Sequence, residues 1–309
     1  EVSPGTYTYS DQYISDTVSR VTVQFIHNNG TISYKDIATL SPSTDFRTMS
    51  ADFSVDTSVA KITVFHLIRS VGKLTIDNAS ILSKSNDTGI FTTGAVTLRF
   101  DDGWVSQYQY AIPKMNSLGL RGTFYIVSRQ TGDDGYPAFM SQAQIKEVYS
   151  LGNEIGGHTR THSDLPLLSS EQQQNEIAGG RNDLISWNIG PILSFAYPYG
   201  DYNNTTMDIV KNAGFTSALS TLNGYVSPAS DKYQLQRQSA EITVPISQIK
   251  QWIDSAKTNK RWLIIAVHRI DNSGEQYSIT PDTFNQMADY LTQKDIPVVT
   301  VSEALSTLK

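Results

Sequence analysis

Two hydrophobic patterns divide this chain. Up to residue 88, apolar and polar positions alternate over short runs: Val21-Thr22-Val23-Gln24-Phe25-Ile26, Met49-Ser50-Ala51-Asp52-Phe53-Ser54-Val55, Lys61-Ile62-Thr63-Val64-Phe65-His66-Leu67-Ile68 and Lys73-Leu74-Thr75-Ile76-Asp77. A period of two marks strands with one buried face. Asn28-Asn29-Gly30, between the first run and Ile32-Ser33-Tyr34, is a hairpin signal, because tight hairpin turns need residues that tolerate positive φ. Helical periodicity is nearly absent, so residues 1–88 are expected to form a small all-β sandwich. The polar, turn-rich stretch 84–89 is the expected boundary.

From residue 89 onward, short apolar runs alternate with helical segments. The strand candidates are 95–100, 122–127, 153–157, 192–197, 215–219, 262–267 and 297–301. Ser141 with Gln144, and Ser170 with Gln173, have the spacing of capping boxes at helix starts. Gly152 and Gly214 stand past helix ends, and Thr280-Pro281 reads as an N-cap followed by Pro at the first helical position. Alternating strands and helices imply a parallel sheet. The expected fold is α/β, a distorted (β/α)7 barrel over 89–309, preceded by the sandwich.

Composition narrows the function. The 309 residues are 39% hydrophobic, enough for packed cores, and the formal charge of -6 argues against a nucleic-acid partner. No apolar stretch approaches the roughly 20 residues that span a bilayer. There is no cysteine, hence no disulfide and no thiolate ligand or nucleophile. The chain begins at Glu1 rather than Met, which suits removal of a leader and a secreted or cell-surface protein of bacterial or archaeal origin.

The chemistry gathers at the predicted strand ends. Asp101 and Asp102 follow the first barrel strand, His158 and His162 the third, Tyr197-Pro198-Tyr199-Gly200 the fourth and His268 the sixth. Barrels of this class place catalysis on that face. Two histidines and one carboxylate form an open divalent-metal site. An i, i+4 spacing puts both imidazoles on one side of a helical turn, and Asp102 completes the set. Such a metal lowers the pKa of a water to about 7 and polarises a carbonyl. Asp101 is then free to act as general base, and His268 to protonate a leaving amine. A backbone N–H in the Pro198-Tyr199-Gly200 turn can serve an oxyanion. His27, beside the hairpin, and His66, in an apolar strand, are expected to be structural.

These residues resemble the polysaccharide deacetylases of the NodB-homology type, carbohydrate esterase family 4. The resemblance is carried, in order, by Phe100-Asp101-Asp102-Gly103, by Gly122-Thr123-Phe124-Tyr125-Ile126, by Glu154-Ile155-Gly156-Gly157-His158-Thr159-Arg160-Thr161-His162, by Phe195-Ala196-Tyr197-Pro198-Tyr199-Gly200 and by Ile265-Ala266-Val267-His268. It implies Asp101 as base, Asp102, His158 and His162 around a metal, commonly zinc, His268 as acid, Tyr199 N–H at the oxyanion and Ile265 at the acetyl methyl. Trp104, Tyr197 and Pro198 are further substrate-binding candidates. The family's third motif carries an arginine that orients the base; here Ala196 stands in its place, and Arg237 is the candidate replacement, against a solvated loop charge. No Asp–Trp–Asp motif is found to tune His268. The expected reaction removes N-acetyl groups from a GlcNAc-containing polysaccharide, with Zn2+ the first choice of ion and Co2+ another. The Tyr-Pro-Tyr-Gly motif leans towards exopolysaccharides such as poly-N-acetylglucosamine.

Other readings keep the site and change the outcome: an O-acetyl esterase of xylan type, a cyclic-amide hydrolase, or a catalytically impaired carbohydrate-binding protein. An iron oxygenase uses similar ligands, but the spare Asp101 suits hydrolysis better. For residues 1–88, Tyr7, Tyr9, Tyr13 and Tyr34 are candidates to stack on sugars, against an ordinary packed-face role.

Overall fold

Two units divide the computed structural model of the chain, residues 1–86 and 87–309. All residues are described except 1, 3, 85–90, 92, 228–229 and 308–309, so most of the expected boundary at 84–89 lies outside the described residues.

The first unit has six strands, β1 (Gly5–Ser15), β2 (Ser19–His27), β3 (Ile32–Leu40), β4 (Ser43–Val55), β5 (Val59–Ile68) and β6 (Leu74–Lys84). They form two antiparallel three-stranded sheets, ordered β4-β1-β6 and β3-β2-β5. Strand β1 was not expected, because its inward row is Tyr7, Tyr9, Asp11, Tyr13 and Ser15 rather than aliphatic. The alternation is nonetheless strict, and these tyrosines pack with Val21, Val23, Phe25, Met49 and Phe53. Tyr7, Tyr9 and Tyr13 are therefore core residues and not a sugar platform; Tyr34 alone of the four is exposed.

His66 is a satisfied core histidine. Its Nδ1 lies 2.6 Å from Asp11 Oδ2 and its Nε2 2.9 Å from Ser19 Oγ, linking the two sheets through buried polar atoms. His27 sits at the hairpin between Ser58 and Ser33, with ring nitrogens 3.0 and 2.9 Å from their hydroxyls.

The second unit is a closed barrel of β7 (Ala95–Phe100), β8 (Gly122–Ile126), β9 (Glu154–Gly157), β10 (Ser194–Ala196), β11 (Ser217–Asn223), β12 (Leu235–Ser239) and β13 (Trp262–Val267). Its order is β10-β11-β12-β13-β7-β8-β9, and every pairing is parallel. Helices α1 (Ile112–Leu118), α2 (Gln142–Ser150), α3 (Ser170–Ser186), α4 (Asn204–Asn212), α5 (Ile246–Thr258), α6 (Pro281–Gln293) and α7 (Val301–Thr307) accompany it. Among the described residues no helix is long and apolar enough to cross a membrane.

The strand count is as expected, but one member differs. Residues 297–301 are not a strand. Val298 makes a single parallel bridge to Val96, and Thr300 caps α7, so the apolar run ends as a helix start. The missing strand is β12, whose sequence Leu235-Gln236-Arg237-Gln238-Ser239 is too polar to stand out. Helix α3 is capped by Ser169 and Gln172, one residue before the expected pair. Gln173 is buried instead and accepts a hydrogen bond from Thr206 Oγ1 at 2.8 Å.

Alternation along the barrel strands sorts two cores. Val96, Leu98 and Phe100 of β7 face the helices, with Leu263, Ile265 and Val267 of β13 and with Phe284 and Met287 of α6. Ala95 joins Trp262 and Ile264 in the other cluster, and Trp262 Nε1 donates to Thr97 Oγ1 at 2.9 Å. Thr97, Arg99 and Asp101 thus share the barrel's inner side, because successive residues of a strand point to opposite faces.

Candidate active site

Asp101 and Asp102 leave the end of β7 towards different partners. Asp102 has φ of 73° and Gly103 φ of 81°, a left-handed turn that an aspartate adopts only at a cost of roughly 1–3 kcal/mol. Asp102 Oδ1 lies 3.2 Å from His158 Nε2 and 3.4 Å from His162 Nε2, and one ligand atom from each residue falls within 4.8 Å of the others.

This donor set suits a divalent cation. Two ligands about 2.0–2.1 Å from a tetrahedral ion sit about 3.3–3.4 Å apart, close to the separations of Asp102 from each histidine. His158 Nδ1 donates to the Ala196 carbonyl at 2.7 Å, which orients the ring with Nε2 turned to the site as the atom that would ligate. Burial, followed by the neighbouring His158, pushes His162 down to about 4, so its imidazole is neutral and able to ligate at pH 7. Burial raises the carboxyl of Asp102, but the hydrogen bond and charge of His158, then His268 and His162, outweigh it and hold it well below the usual carboxylate range. Trp104 Nε1 donates to the other oxygen, Asp102 Oδ2, at 2.9 Å, and its ring stacks on Phe139.

The two histidines do not sit on a helical turn. After β9 the chain runs as a loop with Thr159 at φ 66° and His162 at φ 59°. Helix α3 holds this loop. Glu176 accepts from the Arg160 and Thr161 amides at 3.0 and 2.9 Å and from Thr161 Oγ1 at 2.9 Å, taking the place of helical carbonyls. Arg160 forks onto Asp183 at 3.0 and 3.1 Å. The signal was present in the sequence as acidic residues on α3, but nothing local linked them to residues 160–161.

Asp101 is fixed by an arginine that sequence reasoning missed. Arg99 Nε donates to Asp101 Oδ1 at 2.7 Å, and the same guanidinium donates to the Ser220 carbonyl at 2.9 Å. Both side chains of the pair are almost fully buried. Burial raises the carboxyl of Asp101, but the charge of Arg99, then His268 and His158, outweighs it and keeps the group ionised. The free Oδ2 faces His268 Nε2 at 3.7 Å. Gln107 Nε2 ties the two segments together, donating to the carbonyls of Asp101 at 2.6 Å and His268 at 2.8 Å. His268 Nδ1 is buried without a hydrogen-bond partner among the described residues, and its ring lies beside Tyr277.

The sequence comparison adds the decisive observation. Residues 89–218, from before β7 into β11, match the family described as polysaccharide deacetylase. Residues 89–218 thus carry the sequence pattern of a polysaccharide deacetylase domain. Over 162 residues the chain is 27% identical to a putative polysaccharide deacetylase, YxkH, of Bacillus subtilis, covering 52% of this chain and 57% of the relative. It is 24% identical over 179 residues to a poly-beta-1,6-N-acetyl-D-glucosamine N-deacetylase of Staphylococcus aureus, covering 53% and 60%. The chain thus spans less than two thirds of the length of either curated relative. The Xyl-CE4 domain of a multidomain xylanase from the hindgut metagenome of Trinervitermes trinervoides superposes with a TM-score of 0.51 at 18% identity, over 70% of this chain and 91% of that one, and shares the fold.

Within the barrel, the expected site residues fall into two groups. Asp101, Asp102, His158, His162 and His268 come together. Tyr199 joins them: it is exposed, at φ 59°, with its ring 4.6 Å from that of His162. Tyr197, Pro198 and Ile265 are buried instead. Tyr197 stacks on Tyr202 and donates to the Tyr233 carbonyl at 3.0 Å, and Ile265 belongs to the helix-facing core with Leu98, on the side of β13 away from the barrel interior. Trp104 is half-buried and is tied to Asp102 by its indole N–H. Arg237, on β12, is 8% exposed, and its Nε has no hydrogen-bond partner among the described residues. Burial, then the charge of Arg99, pushes it down to about 10. Arg237 is therefore near the base, but the guanidinium hydrogen-bonded to Asp101 is that of Arg99.

Proposed function

We propose that the chain is a metal-dependent hydrolase that removes N-acetyl groups from a GlcNAc-containing polysaccharide and releases acetate. The observation that carries this reading is the convergence of Asp102, His158 and His162 beside a second carboxylate, Asp101, which an arginine holds apart from the donor set. A divalent ion in that set, Zn2+ first and Co2+ next, would supply Lewis acidity to an acetyl carbonyl and acidify a water.

The remaining work belongs to the chain's own groups. Asp101 Oδ1 is committed to Arg99, so Oδ2 is the oxygen that takes the water's proton. His268, 3.7 Å from that oxygen, delivers a proton to the leaving nitrogen. The Tyr199 amide donates to the oxygen that gains charge as water adds. Arg99 is a positioning residue: it touches neither substrate nor metal and acts by keeping Asp101 ionised and aimed. Preference for an N-acetyl polymer follows the activity of the Staphylococcus aureus relative. A polymeric substrate in turn favours a secreted or cell-surface location.

The test is acetate release from acetylated chito-oligosaccharides and from acetylated xylan, before and after chelation and after readdition of Zn2+ or Co2+. Release from the chito-oligosaccharides that vanishes on chelation and returns with metal is expected. Activity that survives complete metal removal would rule the mechanism out, and preference for xylan would reassign the substrate.

A further inference from the structure

The outer face of the β3-β2-β5 sheet departs from the rule that a solvated sheet face is polar. The inward residues of β2, Val21, Val23 and Phe25, are core. The outward ones, Thr22 and Gln24, stand between Tyr34 on β3 and Phe65 on β5, which are 63% and 40% exposed. Thr22, Tyr34 and Phe65, with Asp36, Leu67 and Arg69, line a cleft of about 640 Å3. The two residues lie on the strands flanking β2, about 10 Å apart across the sheet and offset by two residues along it, Tyr34 opposite Gln24 and Phe65 opposite Thr22.

Polar groups in this cleft are held in place before any ligand arrives. Asp36 accepts from Thr22 Oγ1 at 2.6 Å and from Arg20 Nη1 at 2.8 Å, and Arg69 Nη2 lies 3.5 Å away. Gln24 Nε2 donates to the Tyr34 hydroxyl at 2.7 Å, which leaves that hydroxyl able to donate outward. Spare acceptors on the carboxylate and spare donors on the arginines therefore sit between two exposed rings. A sugar matches this arrangement: its C–H faces cover aromatic rings while its hydroxyl and acetamido groups both donate and accept around the rim. A polyanion would meet the carboxylate at the centre, and a purely apolar segment would strip water from three charges.

We propose that this cleft binds hexose residues of the polymer on which the barrel acts, as a second carbohydrate site with Tyr34 and Phe65 as the stacking residues. The identity of the polymer rests on the deacetylase reading; the binding itself does not. The test uses the full chain, with retention in affinity gels containing partly acetylated poly-glucosamine and acetate release from a GlcNAc tetramer measured in parallel. Tyr34→Ala and Phe65→Ala should each weaken retention roughly 2–12-fold, and more in combination, with thermal midpoints and tetramer turnover unchanged. Asp36→Asn should weaken it without altering either ring. If the double variant is retained like the parent chain, the proposal is overturned. It is also overturned if the variants change only self-association in light scattering, since the face is then an interface between copies. Retention that depends on Tyr34 without any acetate release would uphold the cleft and remove the deacetylase reading. Acetate release without such retention would do the reverse.

Discussion

Replacing Arg99 by Met keeps most of the side chain's volume and removes the guanidinium from Asp101. At the base the lost contact is one charge-assisted hydrogen bond of 2.7 Å between almost fully buried groups, and the bond to the Ser220 carbonyl is lost with it. Such a bond is worth about 1.5–3 kcal/mol, so turnover should fall roughly 10–150-fold if the whole effect reaches the transition state. Binding of substrate does not use Arg99, so the loss should appear in kcat with KM nearly unchanged. Leaving a buried carboxylate unpaired also costs about 3–5 kcal/mol of stability, or about 6–20 °C in Tm for a unit of this size. Arg99→Lys keeps a charge but not the fork onto Ser220, and should recover part of kcat. The assay is steady-state acetate release with zinc content measured on each variant. Should Arg99→Met retain kcat within about twofold, or lose activity only through KM or zinc, Arg99 does not position the base. In the same series Arg237→Gln should lose less than Arg99→Met, because Arg237 makes no hydrogen bond to Asp101 and its removal relieves a like-charge neighbour.

Three more outcomes follow from the site's supports. Glu176→Gln removes a carboxylate that binds two loop amides and a hydroxyl, and should weaken zinc affinity by about 10–100-fold in competition titrations; unchanged affinity would mean the histidine loop holds its shape alone. Trp104→Phe keeps an aromatic ring against Phe139 but loses the donor to Asp102 Oδ2, and should also lower zinc affinity, with polymer KM unchanged; a raised KM at normal affinity would return Trp104 to a substrate role. For Asp183, burial raises the carboxyl but hydrogen bonds from Arg160, Arg129 and Ser128 outweigh it, so its folded pKa lies below the ordinary value. The group's contribution is then fully present above its unfolded pKa near about 3.9 and is lost as pH falls through the lower folded value. Thermal midpoints should therefore drop more steeply below about pH 4 in the parent chain than in Asp183→Asn, and parallel curves would contradict the pairing.

Much of the site was legible from sequence because its parts follow strands directly. Asp101, Asp102, His158 and His268 each stand at the first or second position after an apolar run, and a parallel barrel gathers such positions at one rim whatever the connecting helices do. Arg99 was legible in principle. It precedes Asp101 by two residues on a strand, so both must share a face, but an arginine inside an otherwise apolar run carries no local mark of the partner it will meet. The polar strand β12 was hidden for the opposite reason, its five residues lacking the apolar run that marked the others.

By itself, then, the sequence determined the change of pattern between the two units, the barrel class and the residues that meet at its mouth. Tertiary structure alone decided which way the side chains face. Trp262-Leu263-Ile264-Ile265-Ala266-Val267 is buried on both sides, so no alternation of polarity marks Ile265 as facing the helices. Tyrosines on β1 pack inward while Tyr34 stays in solvent, although all are tyrosines in alternating strands. The imidazoles at 158 and 162 meet through a loop shaped by Glu176 and Asp183, whose contacts with residues 160–161 exist only once α3 has packed beside β9. In each case the deciding interaction joins segments distant in sequence, and only chain closure brings them within reach.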